Sequence, residues 1–235
     1  MKPVTVVIPN YKTLNLIQRI VEGLLKYYPQ VRLLLIDNSS GDASTEYIKT
    51  MVSGKHNIRV ILNHVNVGHG PAMHQGVGIC ETPLVCLVDS DCIIRRGDAL
   101  EVMAAPFSDP KVYVVGEILH IDAGGNTRKK GPLYVHPSRM MIDRQKYWKL
   151  PPFNHHGAPV VLNIRGAIKA GYKLVHVPNL DKYFCHPGSG LRKGGSHRKY
   201  GIPGWHTDPY YLPEKAPTAV MKLKDAQPIL LGEWR

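Results

Sequence analysis

From Val4 to Ile8 the chain is apolar and largely β-branched before it meets Pro9-Asn10, a pattern that predicts a buried strand closed by a turn. Leu14, Ile17, Ile20, Val21, Leu24 and Leu25 then recur at helical spacing, which predicts a helix over Leu14 to Tyr27. A second cycle follows: strand Arg32 to Ile36, turn Asp37 to Asp42, helix Ser44 to Met51. Strand Ile58 to Leu62, a Gly-rich turn and helix Pro71 to Ile79 make a third. Strand Leu84 to Val88 stops at Asp89-Ser90-Asp91, and a helix around Asp98 to Ala104 leads to a strand at Val112 to Val115. This alternation predicts an α/β fold, a mostly parallel Rossmann-like sheet with helices on both faces. Ligands of such sheets bind beyond the carboxyl ends of the strands. The polar turns after the first four strands therefore line one crevice.

After Glu117 the pattern changes. A hairpin from Ile118 to Val135 turning at Gly124-Gly125-Asn126, a strand near Arg139 to Ile142 and a helix near Val161 to Ala170 precede a Gly- and Pro-rich tail. The expected organisation is a first half over residues 1–117 and a smaller second half over 118–235, within one compact domain. No apolar run is long enough to cross a bilayer, and no apolar leader follows Lys2. The four Cys form no C-x-x-C pair and read as reduced thiols. These features predict a soluble, cytoplasmic protein.

With 235 residues, 43% hydrophobic, the chain can bury a sizeable core, and its net charge of +12 points to polyanionic partners. That charge is unevenly placed. Residues 1–127 carry eleven Lys/Arg against twelve Asp/Glu, whereas residues 128–200 carry fifteen against two.

Asp89-Ser90-Asp91 sets two carboxylates two residues apart at the mouth of an apolar strand, hard oxygen ligands for Mg²⁺ or Mn²⁺ bridging a diphosphate, or else an Asp-rich turn capping the next helix. Asp37 closes the second strand, where a carboxylate can accept from the N3–H of a uracil or simply organise a loop. Asn66-Val67-Gly68-His69-Gly70-Pro71 puts backbone N–H groups and a helix N-terminus where an anion can sit, without a Walker A sequence.

In this order, VTVVIPNYKT, LLLIDNSSGDAS, NVGHGPAMHQGV and LVCLVDSDC resemble the consecutive signatures of family 2 glycosyltransferases of the GT-A fold. The likeness covers roughly the first 120 residues and recurs in RMMIDRQKYW, RGAIKAGYKLVHVP and CHPGSG. It implies metal-dependent transfer of a sugar from a nucleotide-diphosphate sugar, a UDP-sugar first of all, to a hydroxyl. By position it implies nucleotide contacts at Pro9, Tyr11, Asp37, Gly68, Asp89 and Ser90, and Mn²⁺ or Mg²⁺ held by Asp89, Asp91 and the late His186.

One departure matters. The family's Glu-Asp pair, which usually supplies the general base of inverting transfer, falls here at Ala158-Pro159. His155 and His156 are the nearest substitutes, since an imidazole near its usual pKa of about 6.5 can take a proton from an alcohol. Asp143 is the reserve candidate, with Asp122 and Glu117 behind it.

The basic surplus belongs to the second half, residues 118–235, which the resemblance makes the acceptor side, as it makes residues 1–117 the nucleotide-sugar-binding side. Arg192, Lys193, Arg198 and Lys199 stand in a Gly-rich tract, and Lys129 and Lys130 extend the surplus with Arg128, Arg139, Arg144, Lys146 and Lys149. A polyanionic acceptor follows, with DNA carrying hydroxymethylated pyrimidines first, as for phage-type DNA-modifying enzymes in the host cytoplasm. A cell-surface polysaccharide or a lipid-linked sugar is the alternative acceptor. A non-catalytic nucleic-acid-binding protein on a decayed transferase scaffold is the alternative of another class.

Overall fold

The computed structural model describes residues 1–53, 55–121, 127–154, 159–186 and 228–234. Strands β1 (Val4–Asn10), β2 (Arg32–Asp37), β3 (Ile58–Leu62) and β4 (Leu84–Val88) alternate with helices α1 (Leu14–Tyr27), α2 (Ala43–Thr50) and α3 (His69–Ile79). The four strands pair in parallel in the order β3-β2-β1-β4. Beyond them come β5 (Ile93–Ile94), α4 (Ala99–Ala104), β6 (Val112–Ile121), β7 (Thr127–Arg128), β8 (Leu133–Asp143), α5 (Arg144–Tyr147), α6 (Val161–Lys169), β9 (Lys173–His176), β10 (Phe184–Cys185) and β11 (Ile229–Leu231).

The near-continuous apolar runs of the parallel strands are those of a sheet covered on both faces. Side chains alternate between the two. Val4, Val6, Ile8, Leu33, Leu35, Cys86 and Val88 share one apolar layer with Ile17, Ile20 and Leu24 of α1, Ile48 of α2 and Met103 of α4. Val7, Leu34, Ile36, Val85 and Leu87 share the other with Met73 and Val77 of α3 and Ile164 and Ala167 of α6. The close approach of α3 needs Gly76, because a Cβ there would lie 2.5 Å from Val7 Cγ1.

β8 lies antiparallel between β4 and β6, so β4 and β6 run the same way and end at the same rim of the sheet. On its other side β6 pairs with β9 in parallel and, at its end, with β7. The two short strands expected around Val112 and Arg139 are thus parts of longer ones. The sequence breaks at Pro137, but the β6–β8 register shifts between Gly116 and Ile118. That irregularity asks no ladder hydrogen bond of the proline. The boundary placed at residue 117 falls inside β6. Far from this region, β11 adds antiparallel to the outer edge of β3, with Trp234 stacked by Arg32 and Arg59.

Candidate active site

The carboxyl ends of β1, β2 and β4 converge as expected of a parallel sheet. Asn10 and Asp37 are direct partners across β1 and β2. The Asn10 amide donates to Asp37 Oδ1 at 3.4 Å, Ser40 Oγ at 3.2 Å and Ser44 Oγ at 3.0 Å. Asp37 is buried, and its Oδ2 accepts from Thr45 Oγ1 at 2.8 Å and from the Ser40 amide at 3.4 Å. Thr13 Oγ1 lies 2.5 Å from Asn10 Oδ1 and 2.9 Å from Ser90 Oγ, and so joins this network to the Asp89-Ser90-Asp91 turn. Neither Asn10 nor Thr13 was singled out by sequence, although both stand in the PNYKT turn.

Asn38 fixes the third turn. Its Oδ1 accepts from Asn63 Nδ2 and the Val67 amide, and its Nδ2 donates to Asn66 Oδ1 and, at 3.4 Å, to the Gly68 carbonyl. Gly68 caps α3 with φ +90°, a conformation that favours glycine. The turn delivers His69 to the crevice, where its Nε2 lies 2.9 Å from Asp89 Oδ1. Sequence reasoning missed His69. Its signal was there: an imidazole between two glycines at a helix start, facing the strand that ends in D-x-D.

The second half of the site is built by a short ribbon. β10 pairs antiparallel with β5, Phe184 opposite Ile94 and Cys185 opposite Ile93, which sets His186 back toward Asp91. His186 Nε2 is 3.2 Å from Asp91 Oδ1. One ligand atom each from Asp89, Asp91 and His186 lies within 4.8 Å of the others, and all three residues are half-buried. Two carboxylates and an imidazole in that space are a donor set that suits Mn²⁺ or Mg²⁺.

Two carboxylates this close need positive charge beside them. Burial works to raise the Asp89 carboxyl, but the charge and hydrogen bond of His69, with His186 and His136 beyond, hold it well below the usual carboxylate range. Burial likewise works against charge on His69 and His186, yet Asp89 and Asp91 hold both above the ordinary imidazole value. His136 differs. Its ring centroid is 5.2 Å from that of His186, its Nδ1 lies 2.7 Å from Ser138 Oγ, and burial together with the His186 charge pushes it down to about 4.

Several expected residues lie elsewhere. Asp143 pairs with Leu84, at the amino end of β4 and the opposite rim from Asp89, and caps α5 while bound to Lys146. It is too far from the crevice to act as a base there. Arg139, counted among the cations available to an acceptor, is 1% exposed and bound to Glu117 and Asp181. Lys146 is held by Asp143, and Arg144 donates to the Val77 carbonyl. Arg128 ends β7 and Lys129 and Lys130 follow it, all three exposed at the rim shared with β4, and Lys149 is exposed. Of the histidines in or beside the strands, His120, His136 and His176 are hydrogen-bonded, and His64 is exposed. Pro9 and Tyr11 are half-buried beside the crevice, with Lys12 Nζ over the Tyr11 ring. His155, His156, Asp122, Arg192, Lys193, Arg198 and Lys199 lie outside the described residues.

A parallel sheet with a D-x-D turn and a late histidine at its carboxyl rim defines a class, and the sequence agrees: residues 5–165 match glycosyl transferase family 2, to which the chain belongs. Among curated proteins it resembles the glycosyltransferase GlyG of Streptococcus pneumoniae serotype 4, at 28% identity over 94 residues, 40% of this chain and 31% of that protein. Its fold matches the mannosyltransferase PcManGT of Pyrobaculum calidifontis, solved with GDP-mannose and Mn²⁺, at TM-score 0.64 and 17% identity over 76% of this chain and 55% of that one. It also matches GalNAc-T7, solved with UDP, GalNAc and Mn²⁺, at TM-score 0.61 and 15% identity over 76% of this chain and 42% of that one. The chain thus spans under two thirds of each of these relatives. Among the described residues no helix is long and apolar enough to cross a membrane.

Proposed function

We propose that the chain is a metal-dependent glycosyltransferase that moves a sugar from a nucleotide-diphosphate sugar to a hydroxyl acceptor. The observation that carries this is the convergence of Asp89, Asp91 and His186 within 4.8 Å at the carboxyl ends of parallel strands. A divalent cation bound there supplies charge neutralisation for a departing diphosphate. The protein's own part is to hold the ligands in place before reaction: His69 orients Asp89, Thr13 ties Ser90 to Asn10, and the β5–β10 ribbon presents His186. Both solved relatives named above carry Mn²⁺ with a nucleotide or nucleotide sugar in their structures.

UDP is the donor nucleotide we favour. Asp37 is an acceptor-only group, as the uracil N3–H requires, and two of its three bonds are long at 3.4 Å and exchangeable for a ligand. Pro9, Tyr11 and Gly68 complete the nucleotide side. His155 or His156 serves as the base that takes the acceptor proton, in place of the missing Glu-Asp pair. The acceptor is polyanionic, with hydroxymethylated DNA the first form to test, because Lys129 and Lys130 are exposed just after β7, at the rim of the sheet where β4 also ends.

The test is nucleotide release with Mn²⁺ over a panel of nucleotide sugars and acceptors, with mass spectrometry of products. Asp91→Asn is expected to lower turnover by more than about 100-fold. Turnover unchanged in that variant overturns the metal reading. Transfer to DNA is expected to fall steeply with salt, and less so in Lys129→Ala/Lys130→Ala. Transfer to a neutral polysaccharide alone, without salt dependence, overturns the polyanion reading and leaves the transferase reading standing.

A further inference from the structure

The metal ligands come from two distant segments, and both meet the same dipeptide of β8. The Ser138 carbonyl accepts the Asp89 amide at 2.8 Å and the Cys92 thiol at 3.1 Å, one contact on each side of the D-x-D turn. The next residue, Arg139, stands opposite Val88 in the β4–β8 ladder and turns its guanidinium the other way. Its Nη1 donates to the Phe184 carbonyl at 2.6 Å and to Asp181, and its Nη2 to Glu117 Oε2 at 2.9 Å.

Among the described residues the β5–β10 ribbon has little else in the way of backbone support. It consists of two residue pairs, extended by one bond from the Arg95 amide to the Tyr183 carbonyl. Two-stranded ribbons of this size do not hold their own geometry in water. A buried guanidinium is costly unless its charge and donors are met; here two carboxylates and a carbonyl meet Nη1 and Nη2, while Nε has no partner among the described residues. Those partners sit on β6 and on both sides of the turn that leads into β10.

We propose that Arg139 is the positioning residue of the metal centre: by clamping Phe184 and Asp181 to Glu117 it sets His186 against Asp91, two residues beyond the clamped carbonyl. It touches neither metal nor substrate and acts only through His186. The proposal rests on the metal reading of the Asp89, Asp91 and His186 cluster.

The experiment is Mn²⁺ titration, read by the electron paramagnetic resonance of free Mn²⁺, for wild type, Arg139→Met, His186→Ala and the double variant. Loss of an outer-shell partner weakens metal binding about 10–100-fold. Arg139→Met is expected to fall in that range, and the double variant to bind no more weakly than His186→Ala alone. Multiplying losses overturn the proposal, since they place the arginine's effect outside the histidine, as does wild-type affinity in Arg139→Met. If Arg139→Met does not fold, Asp181→Asn, at a half-exposed position, removes one arm of the clamp. It is then expected to weaken Mn²⁺ binding several-fold in the wild-type background and not at all beside His186→Ala; any other result overturns the proposal. Absence of Mn²⁺ binding by the wild type overturns the metal reading itself, a separate outcome.

Discussion

His69 Nε2 and Asp89 Oδ1 are 2.9 Å apart, so the first residue of α3 and the first carboxylate of D-x-D form one ion pair. With His186 on Asp91, each carboxylate of the site faces an imidazole that its charge holds above the ordinary imidazole value. A cation held by Asp89, Asp91 and His186 would compete with a proton for the His186 ring nitrogen and weaken the hold of Asp89 on a His69 proton. Mn²⁺ affinity is therefore expected to rise with pH above about 6.5, with protons released on binding. Calorimetry in buffers of different ionisation enthalpy measures the release; a pH-independent affinity contradicts the pairing. His69→Gln should flatten the rise while leaving the share due to His186.

The histidines set a second pH dependence, on stability. His136, at about 4 in the folded protein, binds its proton less readily than an unfolded histidine near 6.5, and burial lowers His74 in the same direction. Between pH 6.5 and 4 the unfolded state therefore takes up more protons, and stability falls as pH falls. The raised His69 and His186 act oppositely, their contribution being complete below 6.5 and lost as pH rises through their folded values. Thermal melts of the chelated protein are expected to peak near neutrality, and His136→Phe should flatten the acid limb only.

Gly76→Ala tests the seating of α3. The added methyl meets Val7 Cγ1 at 2.5 Å and Ile36 Cδ1 at 3.0 Å, both in a packed layer. Overpacking of this kind costs about 1–3 kcal/mol, measurable by denaturant unfolding. Because α3 starts at His69, Mn²⁺ affinity should fall with it.

Asn38→Ala separates the nucleotide side from the metal side. It takes one partner each from Asn66, which keeps the Gly68 amide, and Asn63, which keeps Gln75, and leaves the buried Val67 amide unpaired at about 1–3 kcal/mol. The expected outcome is a raised KM for the donor with Mn²⁺ affinity retained. Equal loss of both would show that the turns are not independent.

The parallel half of the sheet was legible because its strands are apolar runs bounded by polar turns, the pattern that burial on both faces imposes. β8 reads as two pieces, one ending at Val135 and one starting near Arg139, because His136, Pro137 and Ser138 interrupt its alternation. A charge count reads Arg139 as surface, and only Glu117 and Asp181, distant in sequence, reveal it as buried. β5 and β10 are two residues each, too short for any period. Asp89 and Asp91 were found from their spacing and His186 from resemblance, but His69 acquires its meaning only when α3 is seated.

Asp91 and His186 are 95 positions apart in the chain. At about 5–20 residues per second of synthesis, the carboxylates leave the ribosome roughly 5–20 s before the histidine. Until β8 is inserted and the β5–β10 ribbon closes, the crevice holds two acids without their third ligand. On the proposed metal reading, capture by all three residues thus comes only after these elements are in place, and loading with Mn²⁺ reports that the β5–β10 ribbon has closed.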